Sequence, residues 1–257
     1  MIAKLRSRLA RVALERYEAF FADKHRAYEV DGGVLYINVR ESPMMKARVL
    51  GHYEPDKRAG LKQVLREGDT FFDVGANKGD FTVLGARLVG PSGSVFAFEP
   101  EPENARWLRR SVTRNRFSHV RVSERAVADK RGTSTLFLGR KSGWHTLLEG
   151  QPRRDAGTLE VELETLDHFA LDHGIDEVQA IKIDVEGAEL RVLAGAEKLL
   201  EASPDVTLLI DLHPKLGVDV IEVHEWLVQR GFRTFDMRGR PFHPNRETSE
   251  ILARKGG

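Results

Sequence analysis

The stretch TFFDVGANKGDFTVLGARLVGPSGSVFAFEP, residues 70–100, decides the reading of this chain. It opens on an unbroken apolar run and bends through Gly75 and Gly79. It continues with helical spacing, turns at Pro91-Ser92-Gly93, and closes on a second apolar run ending at Glu99. Apolar runs without alternation belong to strands buried on both faces, and helices between such strands cover a parallel sheet. The rhythm repeats downstream. A helix is expected from about Glu103 to Asn115, a third strand in VRVSERAV (120–127) and a fourth in IKIDVEG (181–187). A fifth lies in VTLLIDLH (206–213), and a sixth in FRTFDM (232–237) after the helix VDVIEVHEWLVQRG. The fold class is therefore α/β, a doubly wound, Rossmann-like, mostly parallel sheet.

Outside this rhythm, YEVDGGVLYINV (28–39) alternates around Asp31-Gly32-Gly33, a hairpin signal, and helical patterning follows over 43–50 and 56–65. Between the third and fourth strands, residues 133–138 and 158–163 alternate around a polar stretch. They read as an inserted hairpin (130–165), with Thr165 capping a short helix and Glu160, Glu162 and Glu164 forming a polar strand face. The expected division is an N-terminal helix and hairpin extension (1–60), a main domain (61–245) and a C-terminal tail (246–257). Residues 1–16, MIAKLRSRLARVALER, place Ile2, Leu5, Leu9 and Val12 on one stripe among basic residues. A helix docked on the body or on a second copy is the preferred reading. A membrane-surface helix and a targeting segment stay open.

Composition narrows the function. Forty Lys and Arg against 39 Asp and Glu leave a formal charge of +1, so no bulk field steers the 257-residue chain toward nucleic acid or acidic membranes. The absence of cysteine removes disulfides, thiolate metal sites and cysteine nucleophiles, and it fits a cytoplasmic setting. No window is long and apolar enough for a membrane span.

Ligands of open parallel sheets bind beyond the carboxyl ends of the strands. There the first strand supplies Asp73-Val74-Gly75-Ala76-Asn77-Lys78-Gly79 and the second supplies Glu99. A glycine turn with an acid on the neighbouring tip suits a nucleoside-bearing cofactor, the acid holding the ribose diol. NAD proteins favour G-x-G-x-x-G, whereas here the second position is Asn77 and Asp73 precedes the turn. A pyrophosphate is disfavoured by that carboxylate, and an ammonium is favoured, which points to S-adenosylmethionine over a dinucleotide. Asp73 as a mere cap of the turn is compatible with both.

DVGANKGDFT, VFAFEPEPENARWL, ETLDHF and IKIDVEGAELRVLAGAEKLL, in this order, resemble the FkbM family of methyltransferases over about residues 50–240. The resemblance implies the class I S-adenosylmethionine-dependent fold with a seven-stranded sheet. It also implies that Asp73, Gly75, Asn77, Gly79 and Thr82 surround the methionine part of the cofactor, with Glu99 on the ribose. Arg125 and Ala126 would border the adenine, and Asp184 would face the amino or sulfonium end. Two positions depart from the family pattern. Asp211-Leu212-His213 stands where many members carry Glu-x-His, and Ser111 where many carry Asn, though Asn115 remains.

Methyl transfer to an alcohol needs alignment and a destination for the hydroxyl proton. If the fourth and fifth strands are neighbours, Asp184-x-Glu186 and Asp211-x-His213 face one cleft, since alternate residues of an extended tip point the same way. His213 is the preferred general base, because neutral imidazole accepts near physiological pH, with Asp184 and Glu186 beside it as catalytic candidates. A structural His213 is the competing reading. The four groups also have the character of a Mg²⁺ site, but direct binding of cofactor and substrate is preferred and no metal ligand is assigned. His145 is a second candidate base, Trp144 a stacking surface, and Tyr53-Glu54 a lid. The expected function is O-methyl transfer to a sugar, glycan or polyketide-like acceptor, that acceptor class coming from the resemblance. The alternatives are an N-methyltransferase, a non-catalytic adenosyl-cofactor-binding protein and an NAD-binding domain. Nucleic acid is not expected as a partner, and a homodimer stays open.

Overall fold

The computed structural model describes residues 25–41, 43–140, 143–151, 156–245 and 247–256. The basic stripe of residues 1–16 lies outside them. In chain order the elements are β1 (Arg26–Val30), β2 (Gly33–Ile37), α1 (Pro43–Val49), α2 (Pro55–Val64), β3 (Thr70–Val74), α3 (Asp80–Val89) and β4 (Ser94–Phe98). Next come α4 (Pro102–Asn115), β5 (Val120–Ser123), β6 (Ala126–Val127), β7 (Gly132–Phe137), β8 (Thr158–Glu164) and α5 (Leu166–His173). The remainder is β9 (Ala180–Ile183), α6 (Glu189–Ala194), α7 (Glu197–Ala202), β10 (Thr207–Asp211), α8 (Val220–Gln229), β11 (Arg233–Phe235) and β12 (Glu250–Arg254). Among the described residues no helix is long and apolar enough to cross a membrane.

Strands without a polar face must be covered on both sides, and these are. β9 is buried at every position, and β3 and β4 at all but the first. The expected seven-stranded sheet runs β11-β12-β10-β9-β3-β4-β5, parallel except for β12. On one face Phe72, Phe96, Phe98 and Phe169 pack with the α5 to α8 helices. On the other, Phe71, Phe81, Leu84 and Leu209 pack with α2 and α3. The strand order reverses between β3 and β9, so the crevice between their carboxyl ends is the natural ligand site.

Three boundaries differ from the sequence reading. Residues 250–254, assigned there to a tail, form β12 inside the sheet, paired antiparallel with β10 and β11. Ile251, Leu252 and Ala253 are buried, and fully burying such an aliphatic contributes roughly 1.5–3 kcal/mol. The division at residue 60 falls within α2, whose Leu61 lies in the core. The third strand splits, because after Ser123 the chain leaves the large sheet and β6 joins β7 and β8 in a separate three-stranded sheet. The expected hairpin pairs there, from Gly132 opposite Leu163 to Phe137 opposite Thr158. Glu164 departs from the polar face assigned to it: it is buried, with Arg125 and Arg131 on its carboxylate.

The hairpin β1–β2 docks on α4 through two polar residues. Asn115 accepts from the Val34 N–H and donates to the Val34 carbonyl, both at 2.7 Å, imitating a neighbouring strand, while the Ser111 hydroxyl accepts from the Tyr36 N–H at 3.0 Å. The extension is thereby fixed over the start of the sheet, which brings α1 and the loop after it to the rim of the crevice.

Candidate functional site

A cavity of about 270 Å³ opens over the carboxyl ends of β3, β4, β9 and β10, near the lower end of small-molecule sites. Of the residues expected around a cofactor, Gly75, Asn77, Glu99, Arg125, Ala126 and Asp184 line it. Gly75 is required by the close approach of two strand tips: φ is 75°, and a Cβ there would lie 1.8 Å from the Asp184 carbonyl oxygen. Asp73, Gly79 and Thr82 do not line the cavity and stand behind its floor. Asp73 is fully buried, accepts the Thr82 hydroxyl at 2.6 Å and lies 3.7 Å from the Lys182 ammonium. Burial pushes its carboxyl up, against the pull of Lys182. The direct ammonium contact expected of Asp73 is thus corrected. In-strand alternation turns its side chain into the α3 side of the sheet, where Thr82 and Lys182 meet it. Gly79 caps α3 at φ 91°, and a Cβ there would meet Leu108 at 2.3 Å.

Glu99 has a structural task besides facing the cavity. Its oxygens accept from the Asn77 N–H at 2.7 Å and the Glu101 N–H at 3.0 Å, so the second strand tip pins the glycine turn of the first. A carboxylate offers about four lone-pair positions, which leaves acceptor capacity for a diol. Burial pushes Glu99 up to about 7 despite those hydrogen bonds. Among the described residues, five non-glycine residues have positive φ, and three of them, Glu54, Asn77 and Glu186, line the cavity. Such backbone costs of the order of 1–3 kcal/mol per residue and collects where side-chain aim matters. Glu186 is held in it by the insertion: the Thr146 hydroxyl donates to its carbonyl at 2.6 Å.

At the other end of the cavity β9 and β10 are neighbours, as the candidate chemistry requires. His213 Nε2 lies 3.6 Å from an Asp184 oxygen and 3.7 Å from a Glu186 oxygen. Its Nδ1 meets the fully buried Glu189 at 2.5 Å. Glu189 fixes the Nδ1–H tautomer, so Nε2 is the basic nitrogen and it faces the two carboxylates. Burial alone would lower the imidazole, but the hydrogen bond it donates to Glu189 and the charges of Asp184, Glu189 and Glu186 raise it to about 9. Three carboxylates around one ring work against the neutral His213 expected at physiological pH and favour the imidazolium in the free site. Burial opposes ionisation of Asp184, yet Lys182, His213 and Lys57 outweigh it and hold Asp184 down, at about 2. Asp184, Glu186 and His213 each offer a ligand atom within 4.8 Å of the others, close enough together to hold one divalent cation.

Asp211 is claimed by another partner. Lys57 grips both of its oxygens at 2.5 and 2.6 Å and also reaches Glu54 at 3.0 Å and Glu250 at 3.2 Å. Burial and Asp184 push Asp211 up, and the ammonium opposes them; with both oxygens on Lys57 we assign it as ionised. His145 lines the cavity, but its Nδ1 accepts from the Gly139 N–H at 3.1 Å, which places the proton of the neutral ring on Nε2. That is the wrong tautomer for a base at Nε2. Trp144 does not line the cavity, whereas Tyr53 and Glu54 do. Four participants escaped the sequence reading: Arg48, Lys57, Lys182 and Glu189. Lys182 sits in the quoted IKIDVEG block, so an in-strand lysine in an otherwise apolar run was the available signal.

Residues 73–234 match the family described as the methyltransferase FkbM domain. The chain is 37% identical over 161 residues to the 31-O-demethyl-FK506 methyltransferase FkbM of Streptomyces tacrolimicus, covering 52% of this chain and 61% of that protein. It is 28% identical over 142 residues to the 2-O-methyltransferase NoeI of Sinorhizobium fredii (strain NBRC 101917 / NGR234), covering 50% and 57%. This chain therefore spans about three fifths of the length of these curated relatives. M. jannaschii TYW2, solved in complex with AdoMet, shares the fold at TM-score 0.50 and 12% identity, over 90% of this chain and 85% of that one.

Proposed function

The chain belongs to the FkbM methyltransferase family, and on that premise we propose that it transfers a methyl group from S-adenosylmethionine to an alcohol oxygen of a sugar, glycan or polyketide-like acceptor. One observation carries the reading. Glu99 and the Gly75–Asn77 turn share a single cavity with His213, Asp184 and Glu186, so nucleoside-binding and proton-accepting groups meet at one crevice. The two relatives described as methylating an FK506 derivative and as a 2-O-methyltransferase support oxygen as the acceptor atom.

Bound there, S-adenosylmethionine supplies an electrophilic methyl on a sulfonium. The residues of the chain supply the rest. Glu99 would hold the ribose diol, Asp184 and the Gly75–Asn77 turn the amino-acid and sulfonium end, and Arg125 and Ala126 the base. His213 Nε2 would accept the proton of the acceptor hydroxyl as its oxygen takes the methyl from sulfur. The imidazolium so formed is stabilised by Glu189, Asp184 and Glu186, the disposition that makes a buried carboxylate–histidine pair an effective base.

A second reading is favoured by the convergence of Asp184, Glu186 and His213. A hard divalent cation held by them would supply Lewis acidity to the hydroxyl, with Glu189 orienting the imidazole from behind. The N-methylating alternative loses ground at Asp184-Val185-Glu186-Gly187, a tip without an aromatic to stack a base. Calorimetric titration with S-adenosylmethionine, S-adenosylhomocysteine and NAD, followed by mass spectrometry of a panel of hydroxylated acceptors, tests the proposal. Adenosyl binding and the gain of one methyl on an alcohol are expected. Preferred NAD binding, or binding with no transfer across the panel, would overturn it.

A further inference from the structure

Among the described residues, three lysine or arginine side chains border the cavity, and two of them are spent. The Lys182 ammonium donates to the Gly75 carbonyl at 3.1 Å and to Asp184 at 3.3 Å. Arg125 holds Glu162 at 3.0 Å and Glu164 at 2.7 Å. Arg48 is different. Its side chain is 8% exposed, its guanidinium stacks over the Tyr53 ring at 4.3 Å, and Nη1 rests on the Met45 sulfur at 3.1 Å. Its acidic neighbour Asp80 is shared: the same Asp80 oxygen accepts from Arg58 at 2.9 Å and lies 3.4 Å from Arg48 Nε. That Nε–H is buried and makes no hydrogen bond. A buried donor without an acceptor, on a cation fixed by an aromatic face at a cavity wall, is the signature of a missing anionic partner.

Asp184 and Glu54 line the same cavity as Arg48. A cation and carboxylates on one cavity match the two charges of a zwitterionic α-amino acid. We propose that Arg48 holds the α-carboxylate of the amino-acid end of the adenosyl cofactor, an inference that rests on the function proposed above. A planar carboxylate accepts parallel N–H bonds from a guanidinium, which a shared, single-oxygen contact with Asp80 does not satisfy. Arg48 lies before residue 73, where the family match begins. The amino-acid subsite is thus completed by the N-terminal extension, carried to the cavity by α1.

The test compares S-adenosylhomocysteine with 5′-methylthioadenosine, which lacks the amino-acid end, by calorimetry on the full chain. The wild-type chain is expected to bind the former at least about tenfold more tightly. Arg48→Ala should weaken S-adenosylhomocysteine by about 10- to 100-fold and leave 5′-methylthioadenosine within about twofold. Arg48→Lys should fall between. Equal weakening of both compounds, or no weakening of either, would overturn the assignment in favour of a purely structural Arg48. If Arg48→Ala does not fold, decarboxylated S-adenosylmethionine serves with the wild-type chain, and affinity equal to that of S-adenosylmethionine would overturn the assignment. A wild-type chain that binds none of these compounds removes the cofactor reading itself.

Discussion

Replacing Glu189 with Gln should make the enzyme faster at neutral pH. His213 Nδ1 lies 2.5 Å from the buried Glu189, and Asp184 and Glu186 face Nε2 at 3.6 and 3.7 Å. Together they raise the imidazole from 6.5 to about 9. At pH 7 only about 1% of the free enzyme then carries the neutral ring that can accept a proton. The wild-type kcat/KM is accordingly expected to climb about tenfold per pH unit from pH 7 and level off above about 9. A hydrogen bond to a charged group contributes about 1.5–3 kcal/mol, so Glu189→Gln should move the midpoint down by about 1–2 units. The variant keeps an oxygen for Nδ1–H, and at pH 7 its neutral fraction rises about 10- to 50-fold. The titration is read from the His213 ring protons by NMR without any acceptor, and the rate from methyl transfer to whichever hydroxylated compound turns over. The same linkage bears on stability. The folded-state value lies above the unfolded one, so the pairing contributes about 3 kcal/mol below pH 6.5, and this is lost as pH rises through about 9. A His213 midpoint near 6.5, or one that does not fall in Glu189→Gln, would refute the reasoning. A normal pH profile in His213→Ala would remove the residue as the base.

Glu99→Gln should weaken S-adenosylhomocysteine by about 1–3 kcal/mol in calorimetry, and an unchanged Kd would exclude Glu99 from the ribose. Because burial raises Glu99 to about 7 and the diol favours its ionised form, wild-type affinity should tighten between pH 6 and 8. Lys57→Met leaves Asp211 buried beside Asp184 without its cation; a loss of about 3–5 kcal/mol is expected in denaturant titration, and a loss under about 1 kcal/mol would show the pair to be dispensable. Mn²⁺ added to the chain should give a bound electron paramagnetic resonance signal that Glu186→Gln abolishes if the divalent site is real. The absence of that signal, with activity indifferent to chelator, leaves His213 as the sole proton acceptor.

Short-range pattern made much of this protein legible. FFDV, VFAF and IKI are buried strands because no residue spacing in them offers a polar face. The turn at Gly75 follows because only glycine tolerates a backbone oxygen where a Cβ would stand. Strand-tip acids at 73, 99, 184 and 211 announced a ligand end of the sheet for the same local reason. What the pattern could not carry was partnership. Ile251-Leu252-Ala253 is too short a run to identify as a strand until β10 and β11 leave a slot that only it fills. Asp73 and Asp184 are equivalent acids in the sequence, yet one lies beneath the floor beside Lys182 and the other lines the cavity. His213 reads as a neutral imidazole until Glu189 arrives from α6, and nothing in the sequence sets Arg48 and Lys57 apart from other cations until the extension is docked. Periodicity records which side of an element faces the core. Charge state and site membership depend on desolvation and on groups brought together from distant parts of the chain, and only the tertiary structure decided those.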